Sequence, residues 1–369
     1  MTRHLKSIII TLLSALLCPT LSAQTKSDGM KYVDLSSFPR LGQAVDESRL
    51  ESPYDRLPLE LKDSIRPELW NLGKNSAGVA IRFRTNSSKL KTRWEVLNNF
   101  WMNHMTPTGI KGLDVYGYDD GKWWFVGSGR PGHQKDTFVS TIISNMDTTM
   151  REYMLFLPLY DGATKVEIGV DSAAVVEMPV LDSPVREKPV VVYGTSVTQG
   201  GCANRPGMAY TSILMRDLNR EFINLGFSGN GRLDPEIASI MADTDASVFV
   251  LDNMANCTTE MLDRLPKFVE ILRVKHPQTP IILMTNQRYT YQRFDRKTEN
   301  DVYVKNNRLL ELYNELKAND PNIYFVEQGA MAGTDDEGSI DGAHLTDLGF
   351  IRLAESLKPI LIPLLPKAE

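Results

Sequence analysis

The sequence predicts two structural parts in one chain: a jelly-roll-like all-β sandwich and, after it, an α/β unit built on a parallel sheet. Three observations support this fold class. Short segments of alternating polarity occupy residues 65–175, a charged stretch with two prolines follows at residues 182–189, and apolar runs then alternate with segments of helical period. The chain has 369 residues, the length of about two domains.

Residues 1–23 are expected to be a signal peptide. The basic residues Arg3, His4 and Lys6 precede an apolar run from Ile8 to Leu17, and the small-residue site Leu21-Ser22-Ala23 follows. That run is too short to span a bilayer, and no later segment has the roughly 20 consecutive apolar residues of a membrane helix. We therefore predict cleavage after Ala23, export to the periplasm or the extracellular space, and no membrane span.

Charge and cysteine content argue against several classes of partner and cofactor. The formal net charge of −5 argues against binding to nucleic acid or to polyanions through bulk charge. Cys18 lies in the predicted signal peptide, so Cys202 and Cys257 are the cysteines of the exported chain. They could form one disulfide or remain as small buried hydrophobic residues. Their spacing matches no metal-ligand motif, so no metal or other cofactor is predicted.

Residues 24–182 are predicted to form a leader and the β-sandwich. Residues 24–55 are polar and rich in turn-forming residues, which indicates a leader that lies over the body of the protein. After it, apolar and polar residues alternate, and turns such as Asp119-Asp120-Gly121 and Tyr160-Asp161-Gly162 separate the segments. The strands predicted in this part cover residues 79–84, 114–118, 123–126, 154–157 and 165–170. This pattern is typical of an antiparallel sandwich.

Residues 188–369 are predicted to form the second domain. Its apolar runs are nearly continuous, and each is followed by a segment of helical period, which indicates a parallel sheet covered on both faces. The strands predicted here cover residues 190–193, 222–225, 247–251, 281–284 and 323–326. In such sheets, ligands bind at the carboxyl ends of the strands. Polar residues that directly follow these runs are therefore the candidates for a functional site.

Ser196 is the first such candidate. It stands in Gly194-Thr195-Ser196, directly after the first strand of the sheet, where its hydroxyl can face a ligand crevice. A helix is expected to begin near Pro206 or Gly207. Because a serine after a strand can equally be a helix cap, the tripeptide alone does not identify a nucleophile.

A base for this serine is offered by Asp341-Gly342-Ala343-His344, which follows the last strand. In a short turn, the carboxylate can hold the imidazole Nδ1, so that Nε2 faces the serine. The other histidines after Ala23 fit this role less well. His104 and His133 fall in the β-rich sequence, and His276 has a sufficient structural explanation at a helix end.

Two further strand ends can supply donors for an oxyanion. Residues 224–231 leave the second strand, and a glycine there lets a backbone N–H approach the substrate closely. Residues 252–256 leave the third strand and offer a side-chain amide from Asn253 or Asn256. Each feature alone is adequately explained as a turn. Together, four strand ends supply a nucleophile, two kinds of donor and a base.

These four blocks resemble those of the SGNH/GDSL hydrolase superfamily, which is named after Ser, Gly, Asn and His in successive blocks. On this resemblance, the nucleophile is Ser196, and the D-x-x-H pair is Asp341 and His344. The oxyanion donors are the N–H groups of Ser196 and Gly229 and the side-chain amide of Asn256. The resemblance also implies a flavodoxin-like sheet.

The sequence departs from the family pattern in two places. The family's G-D-S is here Gly194-Thr195-Ser196, which leaves the nucleophile intact because the aspartate of that motif is not itself catalytic. The family's G-x-N-D is here Met254-Ala255-Asn256-Cys257. The position after the strand favours Asn256, and Asn253 stays open as an alternative.

The resemblance covers roughly residues 188–365 and bears on the two cysteines. Cys202 follows the turn that carries Ser196, and Cys257 follows Asn256. The family fold places both at neighbouring strand ends, so a disulfide that clamps the site is a hypothesis.

Residues 194–201, together with the β-rich part, resemble secreted bacterial esterases that carry an N-terminal sandwich. This resemblance implies that a small-molecule or glycan ester is hydrolysed, with an O-acetylated carbohydrate as the expected substrate. The alternatives are a lipase or thioesterase acting on acyl chains, and a non-catalytic glycan-binding protein. Glycan binding would use the tryptophans Trp70, Trp101, Trp123 and Trp124.

Four more residues near predicted strand ends are candidates for contact with the substrate. They are Arg205, Asn286, Arg288 and Tyr289. For each of them, a place on an ordinary surface loop is the alternative explanation.

Overall fold

The computed structural model describes residues 29–133 and 137–366. It contains two antiparallel sheets followed by one parallel sheet, which confirms the predicted fold class. The predicted signal peptide lies outside the described residues. Within those two ranges, no helix is both long enough and apolar enough to cross a membrane.

The β-sandwich part, residues 29–181, is built from two antiparallel sheets. In chain order, its strands are β1 (Met30–Asp34), β2 (Arg40–Leu41), β3 (Ala80–Thr85), β4 (Leu90–Val96), β5 (Leu113–Asp119), β6 (Lys122–Gly129), β7 (Thr137–Ile143), β8 (Arg151–Phe156), β9 (Ala163–Asp171) and β10 (Val176–Glu177). One sheet has the order β1-β9-β4-β7, and the other has the order β10-β3-β8-β5-β6 with β2 paired to β3. Two short helices in the connections are α1 (Pro67–Gly73) and α2 (Pro107–Lys111). The five strands predicted here are all present, as β3, β5, β6, β8 and β9.

An apolar core lies between the two sheets. Phe83 and Tyr153 are paired across neighbouring strands of one sheet, with ring centres 5.4 Å apart. Trp94 and Phe138 are paired in the other sheet, with ring centres 5.3 Å apart. All four side chains are buried, because each strand points alternate residues inward and cross-strand partners then pack together.

The N-terminal leader differs from its prediction as a covering layer, because it contributes strands to the sheets. β1 pairs with β9, and β2 pairs with β3. Leu35 is buried in the sandwich core, and Leu57 is buried against the parallel sheet. No strand pattern is visible in this part of the sequence, because β1 is an edge strand whose residues are half-buried or exposed without alternation.

The parallel-sheet part, residues 185–366, has five strands covered by helices. Its strands are β11 (Val185–Gly194), β12 (Arg220–Gly226), β13 (Val248–Asp252), β14 (Ile281–Met284) and β15 (Ile323–Val326). Its α-helices are α3 (Ser196–Gln199), α4 (Tyr210–Asp217), α5 (Pro235–Ala242), α6 (Leu265–Lys275), α7 (Arg296–Lys317) and α8 (Asp347–Leu361). The sheet order is β12-β11-β13-β14-β15, and each strand contains one of the predicted apolar runs or most of it.

The strand order creates a crevice at the carboxyl end of β11. The chain leaves β11 to form β12 on one side and later forms β13 on the other side. In open α/β sheets, this change of direction opens a crevice where ligands bind. Ser196 follows the end of β11 and therefore lies at this point.

The two parts share hydrophobic cores. On one face of the parallel sheet, Tyr116 and Trp123 of the β-sandwich part pack in one cluster with Val192 and Phe350. On the other face, Trp70 of α1 joins the cluster that covers the sheet. The charged stretch at residues 182–189 therefore marks a change of architecture, while the packing continues across it.

Candidate active site

The nucleophile turn is formed by β11, Thr195 and the single-turn helix α3. Thr195 caps α3: its Oγ1 accepts a hydrogen bond from the Val197 N–H at 3.3 Å, and its own N–H donates to Thr198 Oγ1 at 3.3 Å. A threonine in place of the family's aspartate thus performs a capping role. Ser196 is the first residue of α3, and its side chain lines a cavity at the end of the sheet.

Ser196, His344 and Asp341 form a continuous chain of hydrogen bonds. His344 Nε2 lies 3.0 Å from Ser196 Oγ, and His344 Nδ1 lies 2.7 Å from Asp341 Oδ2. Gly342 lies in the turn between Asp341 and His344, and its φ of 90° is one that few other residues adopt without strain. The structure therefore brings together the three residues that the sequence predicted for this relay.

The Asp341 carboxylate is held ionised by its own turn. Partial burial opposes ionisation, but hydrogen bonds from the N–H and ring of His344 and from the Ala343 N–H outweigh that burial, so the pKa of Asp341 is lower than usual. The two N–H groups donate to Oδ1 at 2.7 and 2.9 Å, which leaves Oδ2 for the imidazole. An ionised carboxylate beside Nδ1 fixes the imidazole tautomer with its lone pair toward Ser196.

Two predicted oxyanion donors lie on turns that leave β11 and β12. The N–H groups of Ser196 and Gly229 have no hydrogen-bond acceptor among the described residues. Gly229 has a φ of 68° and lies on the exposed side of its turn, where a Cβ atom would meet no atom within 4 Å. Backbone N–H groups without a partner are suited to stabilise a negative charge.

Asn256 and Asn253, the two candidates for the third donor, occupy different environments. Asn256 lines the same cavity as Ser196, and its Oδ1 accepts a hydrogen bond from the Gly231 N–H at 3.2 Å. Its Nδ2 group is therefore the part available as a donor. Asn253 is buried, and its Nδ2 lies 3.0 Å from Cys257 Sγ. The geometry thus favours Asn256 as the third donor.

A second carboxyl group lies beneath the nucleophile turn. Asp252, the last residue of β13, is buried and accepts hydrogen bonds from Thr198 Oγ1 and Tyr210 Oη, both at 2.9 Å. Burial raises the pKa of Asp252 to about 6. Its two hydroxyl donors tie α3 and α4 to the end of the neighbouring strand.

The cavity beside Ser196 and His344 has a volume of about 350 Å³. One wall carries Tyr289 and Tyr291, whose rings are parallel within 4° and 5.6 Å apart. Polar groups of α7, including Lys305, form another wall. Both walls combine polar atoms with aromatic or aliphatic surface, which suits a small polar ligand.

The predicted substrate contacts are placed at different distances from this cavity. Tyr289 lines it, and Asn286 is buried beneath it, where its Oδ1 accepts a hydrogen bond from Lys305 Nζ at 3.3 Å. Arg205 and Arg288 are not among the cavity residues, so their predicted contact with the substrate is not supported by their positions. Arg288 instead pairs with Asp336.

Arg205 lies at the seam between the two parts of the molecule. Its Nη1 donates to Asp114 Oδ2 and to Tyr116 Oη, each at 2.7 Å, and its guanidinium lies 3.9 Å from the centre of the Phe125 ring. Asp114 is fully buried and also accepts a hydrogen bond from the Gly207 N–H at 2.8 Å. Arg205 therefore has a structural role that its position after a strand end did not reveal.

The β-sandwich part reaches the site through residues that the sequence did not identify. The centre of the His104 ring lies 5.7 Å from that of His344. Tyr160 Oη donates to the Ser196 carbonyl at 3.4 Å, and Gln199 Nε2 donates to the Leu159 carbonyl at 3.0 Å. His104 lies in the β-rich sequence, and only the packing of the two parts brings it to the site.

The cysteines and the remaining histidines lie in separate environments. Cys202 and Cys257 are free and buried, so the disulfide hypothesis is wrong for this structure. Cys257 Sγ is next to Asn253 rather than next to Cys202. His133 is exposed, and His276 follows α6 with its Nε2 2.9 Å from the Ala242 carbonyl oxygen.

The four tryptophans considered for glycan binding differ in exposure. Trp70 and Trp123 are buried in the shared cores. Trp101 exposes 70% and Trp124 exposes 48% of its surface. Two of the four are therefore available to a ligand.

Family models match both parts of the chain. The model of the GDSL-like lipase/acylhydrolase family matches residues 187–362. A model of the N-terminus of SGNH-hydrolase-type esterases matches residues 30–176. No curated protein matches the chain.

Solved structures resemble the chain over both parts. A structure from Bacteroides ovatus described as a GDSL-like lipase is 38% identical, has a TM-score of 0.85, and aligns over 91% of this chain and 98% of its own. The salicylyl-acyltransferase of a tetracycline biosynthetic pathway is 19% identical with a TM-score of 0.71, over 92% and 98% of the two chains. A family two carbohydrate esterase from Cellvibrio japonicus is 14% identical with a TM-score of 0.57, over 91% and 98%. The last two show a common fold.

Proposed function

The chain belongs to the GDSL-like lipase/acylhydrolase family, and on that premise we propose that it is an exported serine esterase that removes a short acyl group from a carbohydrate. The observation that carries the proposal is the relay from Ser196 Oγ to His344 Nε2, at 3.0 Å, and from His344 Nδ1 to Asp341, at 2.7 Å. A serine next to a base that is itself oriented by a carboxylate is the arrangement needed for nucleophilic catalysis.

The first half of the reaction forms an acyl-enzyme. His344 Nε2 takes the hydroxyl proton of Ser196 as Oγ attacks the carbonyl carbon of the ester, and Asp341 stabilises the imidazolium. The oxyanion accepts hydrogen bonds from the N–H groups of Ser196 and Gly229 and from the amide of Asn256. His344 then gives its proton to the departing alkoxide, which leaves as a sugar hydroxyl.

The second half releases the acid. A water molecule takes the place of the sugar, and His344 removes its proton as the oxygen attacks the acyl carbonyl. Collapse of the second oxyanion returns the proton to Ser196 Oγ. The protein's own groups supply every proton transfer in this sequence.

The size and lining of the cavity support a short acyl group and a polar acceptor. A volume of about 350 Å³ accommodates an acetyl group with part of a sugar ring. Tyr289 and Tyr291 offer aromatic surface, while Gln287 and Lys305 offer polar groups for hydroxyls. A long acyl chain would need an extended apolar groove, so these walls favour the esterase over a lipase or thioesterase. The same fold includes a carbohydrate esterase.

The test compares hydrolysis of p-nitrophenyl esters of increasing chain length, followed by release of acetate from a panel of acetylated glycans. We expect the acetyl ester to be the best of the series, and Ser196→Ala to lower kcat by roughly 10⁴-fold or more. Ser239→Ala, at an exposed position of α5, is the matched control and should retain full activity. Activity retained by Ser196→Ala, or absence of both hydrolysis and labelling by a fluorophosphonate, would contradict the proposal.

A further inference from the structure

His104, Cys202 and His344 form a cluster of side chains that the proposed reaction does not explain. One nitrogen of each ring and the Sγ atom all lie within 4.8 Å of one another. We propose that these three side chains bind one Zn²⁺ ion, and that this ion blocks the base of the esterase. The binding claim stands on the cluster alone, whereas the inhibition claim rests on the proposed function.

The donor set suits zinc. Imidazole nitrogen and thiolate sulfur are its usual protein ligands, and three protein ligands leave a fourth position for water. With Zn–N near 2.0 Å and Zn–S near 2.3 Å, ligand atoms of a tetrahedral site lie roughly 3.5 Å apart. Side-chain movements of about 1 Å would therefore bring the three atoms from their present separation into the first coordination sphere.

Both histidines already have the hydrogen bonds that orient zinc ligands. His104 Nδ1 lies 2.9 Å from Asn103 Oδ1, and His344 Nδ1 lies 2.7 Å from Asp341 Oδ2. A metal-binding imidazole almost always donates its second N–H to such an oxygen, which leaves the other nitrogen for the metal. Nε2 of each ring is therefore the nitrogen assigned to zinc.

The segment that carries His104 is fastened to the segment that carries Cys202. Thr106 Oγ1 and Thr108 Oγ1 donate to the Asn204 carbonyl at 2.8 and 2.6 Å. The two ligands therefore come from different parts of the molecule, but hydrogen bonds from residues two and four positions after His104 hold its segment to the residue two positions after Cys202. A site with ligands held in place loses less conformational freedom when it binds an ion.

Cys202 would bind as a thiolate. Cys202 is buried, and burial in apolar surroundings favours the neutral thiol in the free protein. On binding, the S–H bond breaks, the proton passes to solvent, and a Zn–S bond forms, because a coordinated thiol is deprotonated by the metal. The thiolate and Asp341 together balance the charge of the ion.

Binding would compete with catalysis at one atom. His344 Nε2 is the atom that accepts the Ser196 proton in the proposed reaction, and its lone pair cannot serve both a proton and a metal ion. Zinc should therefore inhibit ester hydrolysis, and a chelator should restore it.

The experiment is a titration of the chelator-treated protein with Zn²⁺ by calorimetry, repeated with Co²⁺ to detect a thiolate-to-cobalt absorption band. We expect one ion per chain and loss of the band in Cys202→Ala. His104→Ala and Cys202→Ala should each weaken zinc binding and zinc inhibition at least tenfold, and Asn103→Ala should weaken them roughly tenfold. Cys257→Ala and His276→Gln, which alter a thiol and an imidazole outside the cluster, should change neither.

Ser196→Ala separates this proposal from the esterase proposal, because it should bind zinc like the unmodified chain while having no activity to inhibit. The zinc proposal is overturned if the unmodified chain shows no saturable binding, if Co²⁺ binds without the thiolate band, or if His104→Ala binds as tightly as His276→Gln. Thermal melts of each variant establish that a loss of binding is not a loss of fold.

Discussion

Both parts of the molecule contact residues 195–207, which we term the nucleophile segment, but they contribute different things to it. The parallel-sheet part supplies His344, Asp341 and Asn256, whose side chains can exchange protons or donate hydrogen bonds at the cavity. The β-sandwich part mostly positions the backbone of this segment. Tyr160 Oη donates a hydrogen bond to the Ser196 carbonyl, and Asp114 Oδ2 accepts one from the Gly207 N–H. In the proposed reaction, one part thus supplies the reacting and donor side chains, and the other holds the turn that carries Ser196.

This difference leads to an expectation about substitutions in the two parts. Changes to residues of the parallel-sheet part that line the cavity or orient His344 should alter the rate while leaving the free energy of unfolding nearly unchanged. Changes to residues of the β-sandwich part should lower the free energy of unfolding and have a smaller effect on the rate. Substitutions in both parts test whether this division of roles holds.

Asp341→Asn should have the largest effect of these variants. An amide does not hold the imidazole tautomer as a carboxylate does, so kcat should fall by up to about 10⁴-fold, which corresponds to about 5 kcal/mol of activation free energy. The free energy of unfolding should change little, because Asp341 is partly exposed. Kinetics on a short-chain ester measure the first quantity and urea denaturation the second. The control is Asp335→Asn, which lies on the same loop but is paired with Arg352. If Asp341→Asn retains a tenth of the activity, Asp341 does not have the proposed role of orienting His344.

Asp114→Ala should show the opposite pattern. It leaves Arg205 without its buried partner and removes the acceptor of the Gly207 N–H, so the free energy of unfolding should drop by roughly 3–5 kcal/mol. Urea denaturation measures this loss. Asp147→Ala, which breaks an exposed pair with Arg151, should have little effect by comparison. If the two variants are equally stable, the seam does not have the role assigned to it.

Asn256→Ala and Asn253→Ala distinguish the two donor candidates. Loss of the Asn256 amide should lower kcat by roughly 10²–10³-fold, about 3–4 kcal/mol, with little change in stability. Loss of the Asn253 amide should instead lower stability, because this side chain is buried against Cys257. Steady-state kinetics and thermal melting on the same preparations check both. A larger kinetic effect at Asn253 would reverse the assignment.

Glu221→Gln should change how stability depends on pH. This residue of β12 accepts a hydrogen bond from the Gly42 N–H at 2.6 Å; burial raises the pKa of Glu221 to about 7, against the opposing effects of that bond and of Arg186. Ionisation is therefore costlier in the folded than in the unfolded protein, and the stability from the neutral form is lost as pH rises from about 4.5 to about 7. Relative to the unmodified protein, the free energy of unfolding of the variant should rise by up to about 3 kcal/mol across this window and stay constant at higher pH. Urea denaturation of both proteins from pH 4 to 8 measures this difference. A difference that is the same at every pH would contradict the prediction.

The strands of the parallel sheet could be predicted because each is buried on both faces. β11 to β15 therefore contain nearly continuous apolar runs that contrast with the helices between them. β4 was not among the predicted strands, although Leu90, Trp94 and Val96 alternate with charged residues along it. The polar but fully buried Thr92 interrupts this alternation, so the apolar positions of β4 are sparser than those of the strands in the parallel sheet.

The site could be predicted as far as it is encoded locally. Ser196, Asp341, His344 and Asn256 each follow a strand of one sheet, and the carboxyl ends of parallel strands lie at the same edge. His104 follows no such rule. It lies in an irregular segment before α2, and it approaches His344 only because the β-sandwich part packs on that edge of the sheet.

The hydrophobic clusters that contain residues of both parts determine how the protein unfolds. When residues such as Trp123 and Phe350 share one cluster, neither part can melt without exposing apolar surface of the other. The described chain should therefore unfold cooperatively, with a calorimetric enthalpy equal to the van't Hoff enthalpy and a single transition. A nucleophile segment built in this way loses its geometry only when the whole fold is lost.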